Sequence, residues 1–169
     1  RLTPTAGVLA ALGLCYFLKI IPPVPLSLTF AGVYHKIEKQ DSHFNLYSLR
    51  PWYRMWDHGD TTFYFREGDQ IYCFVRVFAP TLFNHTVTLH WQTLDEKTKK
   101  YVTQDRIPME ISGGREDGFR GVAFKANYQP GQWRVDVETE DGRAIGHLKF
   151  EVKPDPHPQK ERHWRFEKA

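Results

Sequence analysis

Cysteine and net charge of one sign are both scarce in this chain of 169 residues. The two cysteines, Cys15 and Cys73, lie in an apolar segment and in a strand-like segment, so the sequence predicts neither a disulfide framework nor a cysteine-based zinc site. The net charge of +3 is spread along the chain without a basic face, which argues against nucleic acid as a partner. The length suffices for one domain with a hydrophobic core and a short appendage at each end.

Sequence signatures of catalysis and of cofactor binding are also missing. The eight histidines show no HExxH or HxH spacing, and there is no nucleophile elbow, phosphate loop or dinucleotide fingerprint. We therefore expect no enzyme activity, no cofactor and no metal. Asp136, Glu138 and Glu140 alternate along one predicted strand, which we interpret as a solvated charged face. A hydrolase that uses Asp136 and Glu138, or His90, stays a third hypothesis on function.

The longest run without charge lies near the N-terminus, where residues 6–18 read AGVLAALGLCYFL. Counted from residue 2 to 21, the apolar segment reaches the ~20 residues of a transmembrane helix if Lys19 extends toward the lipid head groups. The polar residues of this segment form no stripe along one face of a helix, which argues against a buried amphipathic helix. No small-residue cleavage site follows the segment, which argues against a signal sequence. We predict a transmembrane helix over residues 1–21 and a proline-rich stalk over residues 22–26.

Residues 27–152 predict a mainly β domain, an antiparallel immunoglobulin-like β-sandwich. Aromatic residues make up 15% of the chain, and apolar residues alternate with polar ones between recurring turn signals. The clearest element is a hairpin in which Trp133, Val135 and Val137 point inward before an Asp141-Gly142 turn. The predicted strands are 27–36, 44–49, 61–65, 70–78, 86–94, 101–104, 106–111, 119–126, 132–139 and 144–152.

Residues 153–169, KPDPHPQKERHWRFEKA, form a polar tail with three prolines. Such a composition predicts disorder for an isolated segment. We expect an extended tail that is held either by its own domain or by a neighbouring chain. Trp164 and Phe166 are its natural anchors, because aromatic side chains dominate the energy of such contacts.

An aromatic and basic cluster, Arg50-Pro51-Trp52-Tyr53-Arg54-Met55-Trp56, is the most informative local feature. It could stack on sugar rings, lie at a membrane interface, fill a groove in a partner, or fold back as a lid over the sandwich. The loop at residues 113–118 could hold an anion through Arg115, or serve as a plain connection. The candidate partner-binding residues are Trp52, Tyr53, Trp56, Arg115, Trp164 and Phe166.

Four stretches form a distinctive set: RPWYRMW at 50–56, DRIP at 105–108, GGR at 113–115 and QPGQWRVDVETEDGR at 129–143. With them the chain resembles, over roughly residues 21–152, an uncharacterised bacterial family known only as a domain of unknown function. In that family the domain lies at the C-terminal end of inner-membrane proteins. The resemblance implies a bacterial, membrane-attached location and further membrane spans before Arg1 in a longer precursor. It implies no activity.

These observations lead to one expected function and one alternative. We expect a non-catalytic, membrane-anchored accessory subunit of the bacterial inner membrane, with its β domain in the periplasm. Its partners would be the lipid bilayer and other subunits of a membrane protein complex, of a respiratory, transport or photosynthetic kind. The alternative is an envelope module that binds a ligand or carbohydrate through Trp52, Tyr53, Trp56 and Arg115.

Overall fold

The computed structural model describes residues 3–17, 26–41, 43–51, 53, 58–78, 86–109, 112–113 and 118–169. Within these residues one helix precedes twelve strands. The elements are α1 (Thr3–Phe17), β1 (Ser27–Tyr34), β2 (Lys36–Gln40), β3 (His43–Ser48), β4 (Thr62–Phe65), β5 (Ile71–Phe78), β6 (Val87–Leu94), β7 (Tyr101–Met109), β8 (Ser112–Gly113), β9 (Phe119–Lys125), β10 (Gly131–Thr139), β11 (Ala144–Pro154) and β12 (Arg165–Lys168).

Two sheets enclose the main hydrophobic core. One has the strand order β1-β5-β9-β8, and the larger has the order β4-β11-β10-β6-β7. Neighbouring strands pair antiparallel, apart from β4, which runs parallel to β11. Strand alternation sends every second side chain into the core, so Cys73 and Val75 of the first sheet share one cluster with Trp91 and Trp133 of the second.

A third, smaller sheet covers a second core on the β1-β5-β9-β8 sheet. It has the order β12-β3-β2, and its residue Leu46 packs with Tyr34 and Phe74 of the first sheet. The C-terminal tail supplies β12 and ends at Ala169, whose backbone N and O bond Phe44 at 3.0 and 2.9 Å. The tail therefore binds its own domain.

The prediction of a mainly β chain is confirmed. The predicted hairpin is present as β10 paired with β11, with Trp133 opposite Phe150 and Gly142 at a φ of 79° in the turn. Of the two strands predicted at 101–104 and 106–111, the described residues form one strand, β7, because a register shift opposite Trp91 and Gln92 absorbs the break in alternation. Residues 110 and 111 lie outside the described residues. Strands β2, β8 and β12 were not predicted.

The N-terminal helix differs from the predicted transmembrane helix over residues 1–21. Helix α1 has 15 residues, and in the described part of the chain no helix is long and apolar enough to cross a membrane. Residues 1, 2 and 18–21 and the stalk residues 22–25 lie outside the described residues.

Candidate functional site

A close backbone contact at Gly59 holds the segment between β3 and β4 against β1. Gly59 has a φ of 70°, and a Cβ there would lie 2.4 Å from the carbonyl oxygen of Val33 and 2.6 Å from its nitrogen. Glycine alone fits both this conformation and this space. The backbone N–H of Asp60 then donates to the Val33 carbonyl at 2.7 Å, which directs the next side chain into the protein.

Asp60 forms a buried pair with His35. Each side chain is 1% exposed, and His35 Nδ1 lies 2.9 Å from Asp60 Oδ2. On the other side of the ring, His35 Nε2 lies 3.0 Å from the carbonyl oxygen of Tyr64, while the ring stacks on Phe63 at 4.0 Å. Because a carbonyl can only accept, Nε2 carries a proton, and a second proton joins Nδ1 to Oδ2. The pair is thus linked by hydrogen bonds on both sides of the ring.

Burial raises the pKa of the Asp60 carboxyl, because the charged form loses its hydration. The hydrogen bond from His35 opposes this rise in pKa, as does the backbone N–H of Leu49, which donates to Asp60 Oδ1 at 2.9 Å. Both carboxyl oxygens of Asp60 therefore have partners inside the protein. The pair forms part of a wall and leaves no carboxylate oxygen unused.

A cavity of about 240 Å³ opens beside this pair, and we name it the Arg50 cavity. Nε and Nη1 of Arg50 are buried, and neither has a hydrogen-bond partner. Such donors are costly, since they have lost water without a replacement. Both nitrogens are closed off from solvent, so they lie behind the surface of the cavity. The cavity is lined by Leu49, Arg50, Pro51, Tyr53, Asp60, Thr61, Thr62 and Tyr64.

The C-terminal tail contacts residues of the cavity wall. Arg162 donates through Nη2 to the carbonyl oxygen of Tyr64 at 3.0 Å and pairs with Asp69. The Arg162 guanidinium lies 5.5 Å from the centre of the Trp164 ring, which is 5.7 Å from the His35 ring. Trp164 therefore contacts the buried pair at the cavity wall.

The structure describes three of the six predicted partner-binding residues. Tyr53 lines the Arg50 cavity and is 64% exposed. Trp164 contacts the buried pair beside the same cavity, whereas Phe166 packs on Tyr47 of β3 at 5.8 Å. Both tail aromatics are exposed. Trp52, Trp56 and Arg115 lie outside the described residues.

Sequence reasoning missed His35 and Asp60. They are 25 positions apart, and neither belongs to a motif with ligand or catalytic spacing. The nearest signal was Gly59, a glycine directly before a carboxylate, which favours an unusual backbone conformation at that point. Arg50 was noted only as one of the cations between the aromatic residues, because the burial of its Nε and Nη1 depends on tertiary packing.

A second histidine–carboxylate cluster lies on the outer face of the larger sheet. Glu138 Oε1 is 2.8 Å from His90 Nδ1, and Glu138 Oε2 accepts from Arg106 Nη1 at 2.8 Å. His90 Nε2 lies 2.8 Å from the hydroxyl of Thr103. We name the full set the outer-face network: His90, Gln92, Thr103, Arg106, Arg134, Asp136 and Glu138.

Asp136 completes this network. Its Oδ1 accepts from Arg134 Nε at 2.6 Å, and its Oδ2 accepts from Gln92 Nε2 at 2.7 Å. Asp136 and Glu138 are 7% and 8% exposed, so the prediction of a solvated charged face is wrong at these two positions. The long side chains of the arginines lie against the carboxylates and exclude water from them.

His90, Asp136 and Glu138 could hold a metal ion, because they bring three ligand atoms within 4.8 Å of one another. All four carboxylate oxygens, however, already accept hydrogen bonds from protein groups. Two guanidinium groups also balance the two negative charges. A metal would compete with Arg106 and Arg134 for these oxygens, so the geometry favours a structural network.

Comparison with protein families gives one match, to a family described as "Protein of unknown function (DUF2914)", over residues 84–152. The matched part contains the strands from β6 to β11, and with them the outer-face network. The Arg50 cavity precedes it. A search of the curated proteins found no match to this chain. The chain is thus similar to a family without an assigned function over less than half of its length.

Proposed function

We propose that this chain is a non-catalytic accessory domain, attached to a membrane through α1, that stabilises a larger membrane protein complex. The observation that carries the proposal is the exposure of α1. Side chains Val8, Leu9, Leu12 and Leu14 are between 52% and 70% exposed. Residues 3–17 include no charged side chain. An apolar surface of this kind marks a site of contact with lipid or protein.

The energetics of α1 favour lipid as its surroundings. Removing a Leu or Val side chain from water stabilises a protein by about 1.5–3 kcal/mol. A helix that is apolar on every face gains this energy when surrounded by lipid, whereas a soluble partner covers one face only. At ~1.5 Å per residue the 15 residues of α1 extend about 22 Å, less than the ~30 Å hydrocarbon core. We therefore propose attachment to the bilayer through the described part of the helix.

The accessory role is supported by the surface of the β domain. Each carboxylate oxygen of the outer-face network accepts a hydrogen bond from a protein donor, which favours a structural use. The exposed aromatic residues Tyr53, Trp164 and Phe166 are suited to anchor a neighbouring subunit. The immunoglobulin-like topology, supported by two sheets around one core, stays a prediction. So do the bacterial inner membrane, the periplasmic side, and a respiratory, transport or photosynthetic complex.

Flotation with lipid vesicles tests the attachment. The full chain, mixed with vesicles of phosphatidylethanolamine and phosphatidylglycerol, should float with them in a density gradient. The double variant Leu9→Asp/Leu12→Asp should stay in the dense fraction, because two charges in α1 oppose entry into lipid. The matched control is Val102→Asp, an exposed position on β7, which should float like the unaltered chain. Equal flotation of both variants would contradict the proposal.

Purification from bacterial membranes in a mild detergent tests the accessory role. A tagged full chain should bring down at least one membrane subunit in constant ratio. The amount recovered should fall for Trp164→Ala/Phe166→Ala, because these two aromatic side chains are the proposed anchors in the tail. A monodisperse chain without partners under these conditions would contradict this role.

The alternative, a ligand- or carbohydrate-binding module, is favoured by a different observation. Tyr53 belongs to the aromatic cluster predicted to contact a sugar, and it lines the Arg50 cavity. The predicted companions Trp52, Trp56 and Arg115 lie outside the described residues.

A further inference from the structure

We propose that the hydroxyl group of Thr103 is a site of covalent acylation, with His90 as the base and an activated ester or thioester as the acyl donor. The chain accepts one acyl group and keeps it, so the proposal goes beyond the accessory role without turning the chain into an enzyme. It depends on three features of the outer-face network: a bulge in β7, the two hydrogen bonds of the His90 ring, and the exposure of Thr103.

The bulge in β7 brings Thr103 to His90. Side chains of a regular strand alternate between its two faces, so Thr103 and Arg106, three positions apart, would point to opposite faces of the sheet. The register of β7 against β6 shifts between these two residues, where Gln104 is the extra residue. The bulge thereby places both side chains on the outer face, where each lies against the His90 ring.

The His90 ring has a hydrogen-bond partner on each side. Nδ1 lies 2.8 Å from Glu138 Oε1, and Nε2 lies 2.8 Å from the hydroxyl oxygen of Thr103. Because the carboxylate of Glu138 can only accept, the proton of the neutral ring is on Nδ1, and Nε2 accepts a hydrogen bond from the Thr103 hydroxyl. A nucleophile, a base and a carboxylate that orients the base are therefore connected in that order.

Exposure differs among the three side chains of this connected set. His90 and Glu138 are each 8% exposed, whereas Thr103 is exposed on β7. The second oxygen of Glu138 accepts from Arg106 at 2.8 Å, which fixes the carboxylate from the other side. The base and its orienting group are thus held inside the protein surface, and the hydroxyl is the member of the set that an acyl donor can reach.

The reaction transfers one acyl group to Thr103. Its hydroxyl oxygen forms a bond to the carbonyl carbon of the donor, and the bond from that carbon to the leaving oxygen or sulfur breaks. The hydroxyl proton passes to His90 Nε2 and then to the leaving group, so the products are an ester of Thr103 and a free alcohol or thiol.

The open position of Thr103 selects the class of donor. Water surrounds a carbonyl group that reacts on an exposed sheet face, and it weakens the electrostatic stabilisation of the developing negative charge. The donor therefore needs a good leaving group, which aryl esters and thioesters have. The ester formed on Thr103 has a poor leaving group, so the acyl group stays on the chain.

Acetylation of the full chain in detergent by p-nitrophenyl acetate tests the proposal. Hydroxylamine removes acetyl groups from hydroxyl oxygens and leaves those on lysines. Mass spectrometry before and after this treatment should find one hydroxylamine-sensitive acetyl group, at Thr103. Thr103→Val should lack it. The matched control is Thr98→Val, an exposed threonine in the β6–β7 turn, which should leave the acetylation of Thr103 unchanged.

Two further variants test the role of the base. His90→Gln should slow the acetylation of Thr103 about 100-fold, because a positioned base typically contributes a factor of this size or more. Thr103→Ser keeps the test valid if His90→Gln fails to fold, since the change is conservative and lies at an exposed position. Its primary hydroxyl is less hindered, so Thr103→Ser should react several-fold faster than the unaltered chain.

Three results would overturn the proposal. They are the absence of a hydroxylamine-sensitive acetyl group at Thr103, acetylation of Thr98 at the same rate as Thr103, and an unchanged rate in a folded His90→Gln. Flotation with vesicles separates such a failure from a failure of membrane attachment, because Thr103→Val should float whether or not the hydroxyl is reactive.

Discussion

Two of the histidine–carboxylate clusters in the described part of the chain differ in how their cations are satisfied. In the outer-face network, Arg106 and Arg134 pair with Glu138 and Asp136, so positive and negative charges match. At the Arg50 cavity, the carboxylate of Asp60 pairs with a histidine and a backbone N–H instead. Nε and Nη1 of Arg50 are buried without a hydrogen-bond partner. The same residue types thus form a charge-paired cluster in one place and, in the other, a buried pair beside an arginine with two unsatisfied donors.

This difference shows that residue identity alone does not give the role of such a cluster. A histidine beside two carboxylates has the chemistry of a metal site, yet each carboxylate oxygen already accepts a hydrogen bond from a protein group. Beside the buried pair of His35 and Asp60, in contrast, two donors of Arg50 lack an acceptor. Completeness of hydrogen bonding is therefore the property to test in each cluster.

The largest effect is expected for Asp60→Ala. The change removes the partner of His35 and of the Leu49 N–H inside the protein. Loss of one member of a buried pair costs about 3–5 kcal/mol. Unfolding of the full chain by urea should show this decrease in the free energy of unfolding. A decrease below about 1 kcal/mol would indicate that the pair is open to solvent.

A smaller loss is expected for Glu138→Ala in the outer-face network. Its partner Arg106 has a side chain that is 55% exposed and can turn toward water, whereas His90 would lose a partner near the surface. We expect a loss of about 1–3 kcal/mol in the free energy of unfolding by urea. A loss as large as that of Asp60→Ala would show that Arg106 and His90 cannot turn to water when Glu138 is removed.

The pH dependence of stability should have opposite signs at Asp60 and Asp105. Burial raises the pKa of the Asp60 carboxyl in the folded protein. A raised pKa makes the contribution of Asp60 largest below the ordinary value of ~3.9, and that contribution is lost as the pH rises through the folded pKa. On β7, a hydrogen bond from Lys125 lowers the pKa of Asp105 against the smaller effect of burial. Its contribution is present above ~3.9 and is lost as the pH falls through the folded pKa.

Urea unfolding at a series of pH values checks both signs with Asp60→Asn and Asp105→Asn. The difference in the free energy of unfolding between the unaltered chain and Asp60→Asn should shrink as the pH rises from about 4. The corresponding difference for Asp105→Asn should shrink as the pH falls below about 4. If both differences in the free energy of unfolding changed with pH in the same direction, the predicted opposite signs would be contradicted.

The smallest effect is expected from added metal ions. If the outer-face network is structural, Zn²⁺ or Mn²⁺ should leave the thermal unfolding midpoint of the full chain unchanged, because a metal would compete with Arg106 and Arg134 for the carboxylates. A rise in the midpoint that disappears in Glu138→Gln would show that the network is a metal site.

Much of the fold could be predicted from the sequence, because alternation and turn residues act locally. The β10–β11 hairpin is the clearest case: Trp133, Val135 and Val137 are buried, and Gly142 has the positive φ that its turn needs. Strand β12 could not be predicted, since a short polar segment becomes a strand only by pairing with β3. The local sequence pattern of residues 165–168 does not reveal that they pair with the edge of β3, which is distant in the sequence.

The sites were less predictable, for the same reason. Asp136 and Glu138 lie on the outer face of the sheet, as the alternation of the sequence predicted. They are buried there because they pair with arginines from their own strand and from β7, which the sequence pattern does not show. The pairing of His35 with Asp60 joins two loop-adjacent positions through tertiary packing. Tyr53 was predicted as a contact residue because an exposed aromatic residue beside arginine is informative on its own.

The contrast between the two clusters is tested most directly by NMR of the isotope-labelled full chain in detergent micelles. The account predicts that the Nε–H proton of Arg134 resonates downfield of the Nε–H proton of Arg50, because the first donates to the carboxylate of Asp136 and the second has no acceptor. Equal positions of the two resonances, or a downfield position for Arg50, would contradict it.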